Sequence, residues 1–116
     1  VMGMTATLAA YKEGQDWLDQ VLRYMEDNRD YLYRRICEEF PGVEMGMPDA
    51  TYLAWLDFRK LNLGVNPCDY FAQEAKVGLN DGTLFGPPGN GFARLNFGCP
   101  RPLLEEALDK MKRVLP

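Results

Sequence analysis

From Gln15 to Phe40 the apolar positions Leu18, Leu22, Met25, Leu32, Ile36 and Phe40 recur at mostly four-residue steps. That period marks one stripe of a long amphipathic helix. Trp17, Val21 and Tyr33 widen the stripe, charged residues fill the opposite face, and Pro41-Gly42 stops it. A mostly apolar helix over residues 5–12 precedes it, with Leu8, Ala9, Ala10 and Tyr11, and Gly14 interrupts the two.

Beyond Pro41 the period shortens. Val43–Gly46 reads as a short strand and Met47–Ala50 as a turn. Thr51–Phe58 is rich in β-branched and aromatic residues and apolar on both faces, as a central strand is. Trp17 and Trp55 both read as core. Asn66-Pro67 is an N-cap followed by proline at the first helical position, and predicts a helix to about Lys76. Tyr70, Phe71, Ala72 and Ala75 would point inward. Val77–Leu79 predicts a short edge strand, and Asn80–Gly91, with Gly82, Gly86, Gly89, Gly91 and Pro87-Pro88, a loop mobile at its tip.

Phe92–Phe97 predicts a strand, and Pro102 opens a last helix with Leu104, Leu108, Met111 and Leu115 as its buried stripe. Glu105 and Glu106 lie near its positive end, and Lys110, Lys112 and Arg113 near its negative end. The order is helix, strand, strand, helix, strand, strand, helix. This predicts an α+β two-layer domain, a three- to four-stranded, mainly antiparallel sheet with helices packed on one face.

Composition narrows the function classes. The 116 residues fit one domain, and 47% hydrophobic content supplies a core. A net charge of −4 with scattered Lys and Arg offers no basic face for nucleic acid. No apolar run approaches the ~20 residues of a membrane span. Cys37, Cys68 and Cys99 are odd in number and far apart, which predicts free thiols and a cytoplasmic location. Histidine is absent, which removes Ser-His-Asp triads, Cys-His dyads and most zinc sites. Val1–Thr5 is no signal peptide and starts in mid-pattern, as a cut piece would.

Arg94 is the leading candidate for chemistry. Its strand alternation groups it with Phe92 and Asn96 on one face, and Ala93, Leu95 and Phe97 on the other. A guanidinium among apolar neighbours costs free energy unless an anion meets it, and its planar fork suits a carboxylate. An exposed edge arginine, or one paired with an internal acid such as Asp57, is the commoner outcome on residues alone. Gly86–Gly91 lacks a following Lys-Ser/Thr and leads into a strand, which opposes a phosphate-binding P-loop. Cys99 has no nearby base in sequence and reads as a buried, inert thiol. Asp81 reads as a turn residue and Tyr52 as core.

Segments along nearly the whole chain, Leu8 to Leu115, resemble one family in order: Leu8-Ala9-Ala10-Tyr11 with Trp17-Leu18, Asn28-Arg29-Asp30-Tyr31, Thr51–Arg59, Ala75–Gly82, Phe85-Gly86 and Phe92–Arg101. Together they resemble the C-terminal small domain of class I/II aminotransferase-type enzymes that use pyridoxal 5'-phosphate (PLP), in the cystathionine β-lyase, or C-S lyase, branch. Ala50 stands where that family commonly has Gly, and Pro102 where it often has a Ser cap. The resemblance implies that residues 1–13 end the helix joining a large domain, and that residues 14–116 form the small domain.

It also implies that Arg94 binds the α-carboxylate of an amino-acid substrate. Phe85, Gly86 and Tyr52 would help shape the pocket. The parent enzyme would release pyruvate, ammonia and a thiol from cystathionine- or cysteine-like substrates by β-elimination. PLP, its lysine and its phosphate-binding groups would belong to the missing N-terminal large domain, so this chain alone is expected to hold no cofactor and to be inactive. A homodimer is implied for the parent and self-association is expected of the fragment. An aminotransferase of the same family is the alternative within the class. From another class, a standalone α+β module that binds small carboxylates without a cofactor remains open.

Overall fold

The computed structural model describes Val1–Pro116. Helix α1 covers Met2–Glu13 and α2 covers Gln15–Glu39, with Gly14 as their shared cap. Strands β1 (Glu44–Met45) and β2 (Leu53–Asp57) follow, then α3 (Pro67–Glu74), β3 (Asn80–Asp81), β4 (Phe92–Asn96) and α4 (Arg101–Arg113). The four strands form one antiparallel sheet in the order β1-β2-β4-β3. The predicted α+β class and the central place of β2 are borne out.

The sheet has one covered face. Met45, Ala54, Leu56, Ala93 and Leu95 point to it and are buried. Leu32, Ile36 and Phe40 from α2, Phe71 and Ala75 around α3, and Leu104, Leu108 and Met111 from α4 close over them in a single cluster. At roughly 25 cal/mol per Å² of apolar surface removed from water, this layer supplies the main driving force for folding. Ala72, expected inward, is exposed, and the inward side of α3 is formed by Pro67 and Phe71, with Ala75 at its C-terminal end. The Asn66 side chain accepts from the Cys68 N–H at 2.8 Å, as an N-cap does. Pro100 caps α4, which places Pro102 at its second residue.

Two expectations fail for the same reason. Trp17 is 68% exposed and Trp55 38% exposed, not core. Within this chain the α2 stripe meets the sheet only in its C-terminal half, at Leu32 and Ile36, while Leu18 and Leu22 lie open beside the fully exposed α1. Trp55 lies on the sheet face that no helix covers. Thr51–Phe58 is apolar on both faces, yet only one face has a layer to meet. The predicted edge strand is also shifted from Val77–Leu79 to Asn80–Asp81, where the chain runs beside β4.

Asn28 is a fully buried polar residue in the middle of α2. Its amide donates to the carbonyls of Phe97 (3.0 Å) and Cys99 (2.8 Å), and its Oδ1 accepts from Arg101 Nε at 2.8 Å. The Tyr24 hydroxyl accepts from the Arg101 backbone N–H, and the Arg101 guanidinium stacks on the Tyr31 ring. This latch fixes the exit of β4 against α2. Further along, Arg35 joins Glu39 on its own helix to Asp109 of α4, and Lys112 reaches Glu39. Asn28→Ala strands the buried Phe97 carbonyl and the part-buried Cys99 carbonyl, and equilibrium urea unfolding should show a loss of about 2–4 kcal/mol. Trp17→Ala in the same chain should change stability by less than about 0.5 kcal/mol.

Candidate functional site

The uncovered sheet face is built by register. Trp55 lies opposite Arg94, Asp57 opposite Phe92, Leu53 opposite Asn96, and Asn80 on the other side of Arg94. All of these residues share the outward side of the pleat. The expected grouping of Arg94 with Phe92 and Asn96 holds, and Ala93, Leu95 and Phe97 are buried on the other side.

On this face the aromatic rings form a column between two arginines. Arg59 sits 4.6 Å over Phe92, Phe92 stacks on Trp55 at 5.6 Å, Trp55 meets the edge of Phe85 at 5.5 Å, and Phe85 covers Arg94 at 4.7 Å. The two arginines differ in their charge partners. Arg59 binds the Asp57 carboxylate with both oxygens, at 2.7–3.1 Å, and holds the Asp57 carboxyl below its ordinary range. The internal acid open to Arg94 from the sequence is therefore taken.

Arg94 meets no carboxylate. Its Nη2 donates to Asn80 Oδ1 at 3.1 Å, and its Nε is buried without a hydrogen-bond partner. Arg35 Nε is comparably enclosed but lies 2.6 Å from Glu39 Oε1. A buried guanidinium N–H left unpaired costs about 1–3 kcal/mol or more. Arg94 thus offers a positive charge, planar donors and an apolar neighbour, chemistry that suits a carboxylate carried on an organic group.

Phe85 and Gly86 belong to the segment that carries the wall. Asp81 accepts from the Thr83 N–H at 2.9 Å and caps a 3-10 turn over Gly82–Phe85. Gly86 follows with φ 119°, a conformation open to glycine, and starts a second 3-10 turn over Pro87–Gly89. The two turns are packed face to face. A Cβ on Gly82 would lie 2.3 Å from the Gly89 carbonyl oxygen, so the expected loop holds a close-packed knuckle of two short turns. The turn role expected of Asp81 holds. Tyr52 is neither core nor part of the column. It is 52% exposed and lies against Gly98, just past the end of β4.

A groove of about 410 Å³ opens beside the same strand, lined in part by Asn80, Arg94, Asn96, Cys99 and Leu103. Sequence reasoning missed Trp55 and Asn80 as site residues. Trp55 shares strand parity with Asp57, and a charged residue two positions along marks the open side of a strand. Asn80 had no such signal, because its place depends on β3 pairing with β4.

The lysines do not form a seat for a covalently held cofactor. Lys60 pairs with Glu44, Lys110 with Glu106 and Lys112 with Glu39, while Lys76 donates to the Gln73 carbonyl and Lys12 is exposed. None is buried. The thiols are equally quiet. Burial pushes Cys68 up to about 11 and raises Cys99 above the ordinary thiol value. Cys37 is exposed.

No family model matches the chain. It is 41% identical over 118 residues to the cystathionine β-lyase of Corynebacterium glutamicum, covering 99% of this chain and 30% of that protein. It is 40% identical over 109 residues to protein MalY of Escherichia coli, covering 93% of this chain and 28% of that protein. The structure of a PLP-bound C-S lyase from Staphylococcus hominis superposes with a TM-score of 0.88 at 32% identity, over 95% of this chain and 30% of that one. The chain therefore spans about a third of the length of the relatives it matches.

At neutral pH iodoacetamide should modify Cys37 first, with Cys99 and Cys68 reacting only slowly, as peptide mapping over time would record. Early loss of Cys99 would mean a reactive thiol beside the groove.

Proposed function

The chain belongs to the PLP-dependent C-S lyase family as a C-terminal segment, and from that premise we propose that it is the substrate-anchoring small domain of a β-lyase for cystathionine- or cysteine-like amino acids. The observation that carries this reading is Arg94: charged, enclosed, backed by an aromatic wall, and without a carboxylate of its own. Two parallel hydrogen bonds from a guanidinium fix both the position and the plane of a substrate carboxylate. The Phe85 ring over one face of the guanidinium, itself supported by Trp55, would limit water on that side of the ion pair, which strengthens it.

When bound in the parent, PLP would supply the electron sink that weakens the bonds at the substrate's α-carbon, and which of them is activated would depend on how the substrate is oriented. Orientation is therefore what this domain contributes. With the carboxylate pinned on Arg94, the α-carbon presents one geometry, and the entropy of alignment is met on binding. The lysine and phosphate seat for PLP are assigned to the N-terminal part of the parent chain. Residues 1–13 are read as the end of the helix that joins the two parts, and residues 14–116 as the small domain. The exposed apolar side chains of α1 and of the first half of α2, Leu8, Trp17, Leu18 and Leu22 among them, are faces for the rest of that parent. The parent would be a cytoplasmic homodimer. No helix here is long and apolar enough to cross a membrane.

In the protein from the complete reading frame, supplied with PLP and L-cystathionine but no keto acid, pyruvate should appear. Arg94→Ala should lower kcat/KM by about 100-fold or more, the scale of losing one partner of a buried charge pair. Amino transfer that requires an added keto acid would assign the protein to the aminotransferases instead. A full frame that begins near Val1, with no upstream domain, would favour the carboxylate-binding module. The purified 116-residue chain, mixed with PLP and desalted, should keep no visible cofactor absorbance. A stable band would overturn the assignment of the cofactor seat.

A further inference from the structure

We propose that Asn80 is a positioning residue that aims Arg94 without neutralising it. This rests on the reading of Arg94 as the carboxylate anchor. The segment 80–85 delivers two contacts to one guanidinium: the Asn80 amide on its edge through Nη2, and the Phe85 ring on its face at 4.7 Å. Strand β3 is only two residues long, and its register with β4 sets Asn80 directly across from Arg94. The next residue, Asp81, turns its carboxylate to the Thr83 N–H and so builds the turn that carries Phe85. The one acid of the segment is thus directed at backbone, while the neutral amide is directed at the arginine.

The choice of an amide has a physical consequence. An arginine has several rotatable bonds, and a free one loses that freedom on each binding event. A hydrogen bond to Nη2 lowers this loss by fixing the fork in advance. A carboxylate in the same place would fix it as well and hold it more strongly. It would also cancel the charge and compete with the incoming carboxylate. Asparagine supplies the orientation and leaves the charge free. Arg59, at the other end of the aromatic column, shows the opposite arrangement, with Asp57 occupying its fork.

The test compares Asn80→Ala and Asn80→Asp with Arg94→Ala in the full-length parent enzyme loaded with PLP. Asn80→Ala should raise KM for L-cystathionine about three- to ten-fold, the worth of one hydrogen bond, with kcat little changed. Asn80→Asp should raise KM further than Ala does, and the calorimetric dissociation constant of propionate should rise in the same order. Melting temperatures should stay close to that of the parent, because Asn80 is exposed. If Asp proves milder than Ala, or the losses track melting temperature, the role is structural and the proposal is overturned. If both Asn80 variants keep KM within two-fold while Arg94→Ala raises it, the anchor stands and Asn80 has no part in it. If Arg94→Ala itself leaves KM and propionate binding unchanged, the anchor reading falls, and this inference falls with it.

Discussion

Arg94 carries a full positive charge in a half-buried place, with its Nε shut away from water and no carboxylate within reach of its fork. Folded proteins rarely leave such a group unopposed, because the hydration it loses is worth more than a neutral hydrogen bond returns. The surrounding structure keeps it so. Asp57, the nearest acid along the outer face of β2, is held by Arg59, and Asp81 is held by the turn it caps. The opposed position across β3 is filled by a neutral amide. This lack of an internal acid is what supports the proposed reading of Arg94 as a carboxylate anchor.

The rest of the fold holds that one side chain in place. Pairing β2 with β4 in the register Trp55 opposite Arg94 stacks the aromatic column along the uncovered face. The buried face anchors the same strands through Ala54, Leu56, Ala93 and Leu95 under α2, α3 and α4. Past the end of β4, the Asn28 amide clamps the carbonyls of Phe97 and Cys99, so the strand that carries Arg94 is fixed against the longest helix. Packing on one face thus sets the geometry on the other, and the open face is free to take up chemistry that the core does not allow.

Much of this was legible in the sequence, and the failures share a cause. The helices were readable because periodicity and caps are local: the stripe through Leu32 and Ile36, the Pro41-Gly42 stop and the Asn66 cap are each set within a few residues. The sides of β4 were readable from alternation alone. Trp17 and Trp55 were misread because an apolar side chain declares that something covers it, but not whether the cover lies in this chain. The loop at Asn80–Gly91 was readable, but the knuckle at Gly82 and Gly89 inside it was not, because composition shows glycine's freedom and hides the close approach that glycine permits. Asn80 was invisible because its partner is reached through a two-residue strand that has no pattern of its own. Arg94 emerged from a motif, and its lack of an internal partner required the structure.

The central claim is that the fork of Arg94 is kept open for the α-carboxylate of an amino acid. A crystal structure of the full-length parent with an unreactive amino-acid analogue bound tests it most directly. The claim requires the analogue's α-carboxylate on the Arg94 guanidinium, with Asn80 still bonded to Nη2 and Phe85 still over its face. An Arg94 paired instead with an Asp or Glu from the N-terminal part of the parent, and a carboxylate bound elsewhere, would contradict it.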